Sequence, residues 1–165
     1  MYSKRVCQAL HDEHVATIRL LERLGALLDR YRHAPPDRTD TPTVQLLRDI
    51  PAALESEITR HFDFEEGQLF RYLAANGDAA IGAHLTEEHA AMRPLGREAG
   101  ALARAAVSGG FDARSWQEFQ RVAGELCDRL LGHVQKEEMV LLPLLEDQLD
   151  PALDATLHEA YAVND

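Results

Sequence analysis

Two stretches of this chain carry the same short arrangement of metal-binding side chains. His61 is followed four residues later by Glu65 and then Glu66, and His133 by Glu137 and Glu138. Four residues of helix advance the chain by roughly 400°, so the imidazole and the first carboxylate share a face one turn apart. A neutral imidazole and a carboxylate aimed at one point suit a divalent transition metal. The surroundings repeat as well, with Leu69, Phe70 and Leu73 after the first pair and Leu141, Leu142 and Leu145 after the second. A further echo, Glu13-His14 and Glu88-His89, precedes each pair. The chain therefore reads as two similar halves, each offering two histidines and one glutamate, or half of a dinuclear metal site written twice. The candidate ligands are His14, His61, Glu65, His89, His133 and Glu137. Nitrogen and oxygen donors without thiolate suit Fe(II), Mn(II) or Zn(II). Four histidines and two bridging glutamates leave each ion under-coordinated, with room for water, hydroxide or dioxygen.

Long helices must present these residues. Apolar positions Leu10, Ile18, Leu21, Leu24 and Leu28 recur at helical spacing, which predicts a first helix from an N-cap at Ser3 to about residue 32, with His14 on its inner stripe. Residues 33–43 are rich in proline and aspartate and break the chain. A second helix is predicted from about 43 to 75, kinked or restarted at Pro51 and ended by Asn76-Gly77. A third runs from after Asp78 to about 107, bent at Pro94, and a fourth from after Asp112 to about 149. Asp150-Pro151 opens a short tail helix to about 161. The expected fold is all-α, an antiparallel up-down-up-down four-helix bundle over about 3–149 with a C-terminal helix, in a single domain covering 1–165.

The net charge of −11 disfavours nucleic acid and anionic membrane surfaces as partners. Hydrophobic residues make up 45% and aromatics only 6%, which suits helix packed on helix. Cys7 and Cys127 stand far apart outside any CxxC pattern and read as buried thiols. With no apolar leader and no run long enough to span a bilayer, a cytoplasmic location is expected.

Di-iron bundles of the ferritin type use Glu-x-x-His. No glutamate in this chain has a histidine three residues after it. The reversed order, His-x-x-x-Glu, resembles the hemerythrin-like family of HHE cation-binding domains. The resemblance covers residues 6–149 in the family's order: His14, then His61 with Glu65, then His89, then His133 with Glu137 or Glu138. It implies an up-down bundle holding two iron ions, with zinc or manganese as substitutes, and dioxygen, peroxide or nitric oxide as small-molecule partner. Oxygen carriers of the family have His-x-x-x-His on the third helix, but Leu85 stands four residues before His89 and His84 is one position off. The resemblance thus points to iron-sensing or reactive members rather than carriers, and to a metal- and oxygen-binding protein more than a dedicated enzyme. The competing reading is a regulatory or interaction module clamped by a metal such as zinc. Of the paired glutamates on the fourth helix, Glu137 is expected to ligate and Glu138 to support from outside. Burial is expected to raise the glutamate pKa values when no metal is bound.

Overall fold

The helix boundaries fall where backbone chemistry demands them. The computed structural model describes residues 1–163. Helix α1 spans Arg5–Arg30. Helix α2 is one continuous run over 41–75, and α3 spans Ala79–Gly109. Helix α4 is continuous over 113–148, and α5 spans Pro151–Val163. The described residues contain no strand. Gly77 and Gly110 sit at the ends of α2 and α3 with φ of 98° and 77°, a region that favours glycine. Asp112 opens α4 with a reciprocal capping box to Ser115. Pro51 and Pro94 are carried inside α2 and α3 without ending them.

The start of α1 departs from the sequence expectation. Ser3 is not its N-cap: the first helical residue is Arg5, and Lys4 offers no side-chain cap. The carboxylate of Asp154 in α5 accepts hydrogen bonds from the backbone N–H of Arg5 and Val6, each 3.0 Å long. Glu146 in α4 accepts from the backbone N–H of Ser3 at 2.7 Å and of Lys4 at 3.0 Å. Remote carboxylates thus satisfy the orphan donors and complement the positive end of the helix dipole. Asp154 is buried, so D154A would strand two N–H groups. It is expected to cost about 2 kcal/mol, read as a lower denaturation midpoint with an unchanged slope.

α1 contacts α2 and α4, α3 contacts both α2 and α4, and α5 lies along α1. Two glycines let α3 approach α2 closely. A side-chain carbon at Gly96 would come within 2.3 Å of Ile58 Cδ1, and one at Gly82 within 2.8 Å of Phe70 Cβ. The apolar core has two parts. One includes Leu24, Ile50, Trp116, Phe119 and Leu126; the other includes Val6, Leu10, Leu69, Leu73, Leu141 and Leu145. The buried candidate ligands lie where the two parts meet along each long helix, as His14 does between Leu10 and Leu24 and His89 between Leu85 and Met92. No helix among the described residues is long and apolar enough to cross a membrane.

Candidate metal centre

The six candidate ligands come together in one buried layer. His14, His61, Glu65, His89, His133 and Glu137 are each 0% exposed. They come from all four long helices, and the wound geometry at three of these positions is not α-helical. Ser56–His61, Glu65–Leu69 and Glu137–Leu141 form π-turns. A π-turn closes its hydrogen bond over five residues and is wider than an α-turn, a distortion common at functional sites. Residues five apart therefore lie nearer one face than the 140° of an α-helix would allow, which brings Glu66 and Glu138 to the edge of the layer beside Glu65 and Glu137. Pro143 lies two residues beyond the last π-turn, inside the continuous α4, where it has no N–H to donate to the preceding turn.

Two histidine pairs face each other across the two inner glutamates. Glu137 Oε2 lies 3.1 Å from His14 Nε2, and Glu137 Oε1 lies 2.7 Å from His133 Nε2. Glu65 Oε1 lies 3.4 Å from His61 Nε2, and Glu65 Oε2 lies 3.4 Å from His89 Nε2. Each inner carboxylate therefore reaches one histidine of each half. Glu65, His89, His133 and Glu137 offer ligand atoms all within 4.8 Å of one another, and so do His14, His61 and Glu137. His89 Nε2 and His133 Nε2 point at each other across 3.0 Å.

The outer ring nitrogens are all held by carboxylates. His14 Nδ1 meets Glu138 at 2.6 Å, His61 Nδ1 meets Glu13 at 2.9 Å, His89 Nδ1 meets Glu66 at 2.8 Å and His133 Nδ1 meets Glu88 at 2.9 Å. An ionised carboxylate only accepts, so each Nδ1 carries a proton and Nε2 is the nitrogen turned inward. The scheme is symmetric. The glutamate before the lone histidine serves the histidine of the next helix, Glu13 for His61 and Glu88 for His133. The second glutamate of each Glu-Glu pair crosses to the other half, Glu66 to His89 and Glu138 to His14.

A cation fits what remains. His14 Nε2, His61 Nε2 and all four oxygens of Glu65 and Glu137 are buried without a hydrogen bond. Such a cluster of unsatisfied donor atoms is costly unless a positive charge satisfies it. Protons supply part of that charge in the metal-free protein. Burial works to lower the His14 pKa, but the adjacent carboxylates of Glu137 and Glu138 prevail and raise it to about 9. His89 is likewise opposed by burial yet raised to about 9 by Glu137 and Glu65, and His61 is raised well above the usual imidazole range by Glu65, Glu57 and Glu13. Burial alone would push Glu137 up, as expected from the sequence. The imidazoles of His133, His14 and His89 instead hold it well below the ordinary carboxylate range, which overturns that expectation for Glu137. Neighbouring opposite charge outweighs desolvation here.

The remaining histidines lie outside the layer. His84 is half exposed and 3.3 Å from Glu88, and His11 Nδ1 lies 3.0 Å from Glu138. The sequence reading of the ligand set passed over the Nδ1 partners Glu13 and Glu88, although both repeat in step with the histidines. Two other neighbours have no repeated counterpart. Tyr161 of α5 hydrogen-bonds Glu13 and lies 3.2 Å from His61 Nδ1. Glu57, 5% exposed, accepts a 2.7 Å hydrogen bond from Thr17. Phe62 stacks on His89 at 3.7 Å with the rings 7° apart and closes that side to water.

Comparison with known protein families matches residues 6–107 and 83–165 to the hemerythrin HHE cation binding domain. The two matched segments overlap on most of α3, so each includes His89. A search of curated proteins finds no match.

Proposed function

The chain belongs to the hemerythrin HHE cation-binding family, and from that premise we propose that it is a non-haem di-iron protein that senses or reacts with dioxygen, peroxide or nitric oxide. The observation that carries this reading is the sharing of Glu65 and Glu137 between two histidine pairs. One ion would be held by His14 and His61, the other by His89 and His133, and both by the two inner glutamates. The four long helices are read as an up-down-up-down bundle around this layer, in a single domain, and the closed ring of contacts among them supports that arrangement. Iron bound there would supply open coordination positions and electrons for a small oxidising ligand.

The protein's own side chains do the positioning. Glu13, Glu66, Glu88 and Glu138 fix the tautomer and tilt of the four imidazoles and raise their basicity as ligands. Phe62 and the apolar residues on either side keep bulk water from the layer, so the carboxylates interact with positive charge at low dielectric. Leu85 is fully buried where an oxygen carrier would offer a fifth histidine, and His84 points to the surface instead. The set of four histidines and two glutamates therefore favours reaction or sensing over reversible carriage.

Anaerobic reconstitution with Fe(II) is expected to yield two ions per chain, and admission of air to raise near-ultraviolet absorption from ligand-to-metal charge transfer. Elemental analysis finding one ion or none would reject the dinuclear reading. A colourless, air-indifferent protein that instead takes up zinc stoichiometrically would favour a structural clamp.

A further inference from the structure

The two halves of the candidate centre are not equal. Three residues after His14 stands Thr17, and four before His61 stands Glu57. The same offsets in the second half fall on Met92 and Arg129. Met92 is buried and apolar, and Arg129 pairs outside with Glu125. Holding an ion therefore does not require a Thr17–Glu57 pair, since the second half lacks one.

Glu57 nevertheless is 5% exposed, and its Oε1 has no hydrogen-bond partner. It lines a pocket of about 240 Å³ between α1 and α2, together with Thr17, Ser56 and Glu13. Glu13 is the residue that holds His61 Nδ1, so one wall of the pocket touches the metal layer. Glu13, Glu57 and His61 bring ligand atoms within 4.8 Å of one another. Glu13 is already engaged by Arg60 and Tyr161, which leaves the Glu57 carboxylate as the local negative charge with spare acceptor capacity. A buried carboxylate lining a half-enclosed pocket concentrates cations, because the low-dielectric walls focus its field.

We propose that this pocket is the ingress site of the centre, where a hydrated divalent cation first binds to Glu57 before passing to the inner ligands beside His61. The inference rests on the dinuclear reading above. It makes Glu57 a transit ligand and not a permanent one. The Glu57 carboxylate would replace part of the ion's hydration shell, aided by the Thr17 hydroxyl oxygen, before the denser inner donor set takes the ion.

The test follows Co(II) uptake by the metal-free chain through the visible d–d bands of the ion, with final content by elemental analysis. E57Q keeps the side-chain volume and the ability to accept from Thr17 while removing the charge. It is expected to slow uptake roughly tenfold or more and leave the final stoichiometry and spectrum as in the wild type. E55Q removes an exposed charge two residues away and is expected to load at the wild-type rate. E57Q loading as fast as wild type, or E55Q slowing it equally, overturns the ingress site alone. Loss of an ion from fully loaded E57Q also overturns it, by making Glu57 a permanent ligand. A wild-type chain that takes up no Co(II) overturns the dinuclear reading and the ingress site together.

Discussion

Replacing Glu137 with alanine is expected to remove at least one metal ion per chain, whereas E138A retains both. Glu137 is fully buried, and its two oxygens face His14 on one side and His133 on the other. Glu65 faces the other two imidazoles, His61 and His89, so loss of Glu137 leaves one shared carboxylate between the halves in place of two. Glu138 touches only the outer nitrogen of His14, and also holds His11 and Tyr2. Its removal frees the His14 ring to rotate and is expected to weaken affinity by about 10- to 100-fold without changing the count at saturating metal. Metal analysis of both purified variants separates the cases. Retention of two ions by E137A, with loss of one by E138A, would mean that the π-turn at Glu137–Leu141 hands the inner position to the second glutamate when metal binds.

Metal removal should lower the melting temperature most at alkaline pH. His14 and His89 have folded pKa values of about 9 in the metal-free protein against an ordinary 6.5. A raised imidazole pKa contributes stability that is fully present below pH 6.5 and is lost as the pH rises through 9. Each histidine accounts for at most about 3 kcal/mol, and the two are not additive because both depend on Glu137. The depressed Glu137 pKa acts in the other direction: its contribution is present above pH 4.5 and is lost on acidification through the folded value. The metal-free chain is therefore most stable between about pH 4.5 and 6.5, and weakens toward pH 9. Bound metal replaces those protons and competes best when they are scarce. The melting gap between loaded and metal-free protein should widen from pH 6 to pH 8.5, and metal binding at pH 7 should release protons, measurable by calorimetry in buffers of different ionisation enthalpy. A constant gap with no proton release would show that the imidazoles are neutral before metal binds.

The parts of this protein legible from its sequence are those decided within a turn or two of chain. Gly77 and Gly110 end helices because their positive φ suits residues without a side chain. The repeated His-x-x-x-Glu places an imidazole and a carboxylate one turn apart whatever surrounds them, so the buried set of six could be named in advance. Even the glutamates that hold Nδ1 were readable in principle, since Glu13 and Glu88 each precede a repeated histidine.

Tertiary structure decided the rest. Asp154 caps α1 from 149 residues away, which no local signal announces, and Ser3 lost the role that its type suggested. The π-turns at His61, Glu65 and Glu137 depart from the α-geometry that periodicity assumes, and they let both members of each Glu-Glu pair face histidines. Tyr161 reaches His61 only because α5 folds back along α1. Glu57 and Thr17 look like ordinary polar positions until packing buries them together with a carboxylate oxygen left over. Local spacing determines which side chains share a face of one helix. Which faces meet, and which polar atoms are left facing inward without a partner, depends on the packing of helices far apart in the chain.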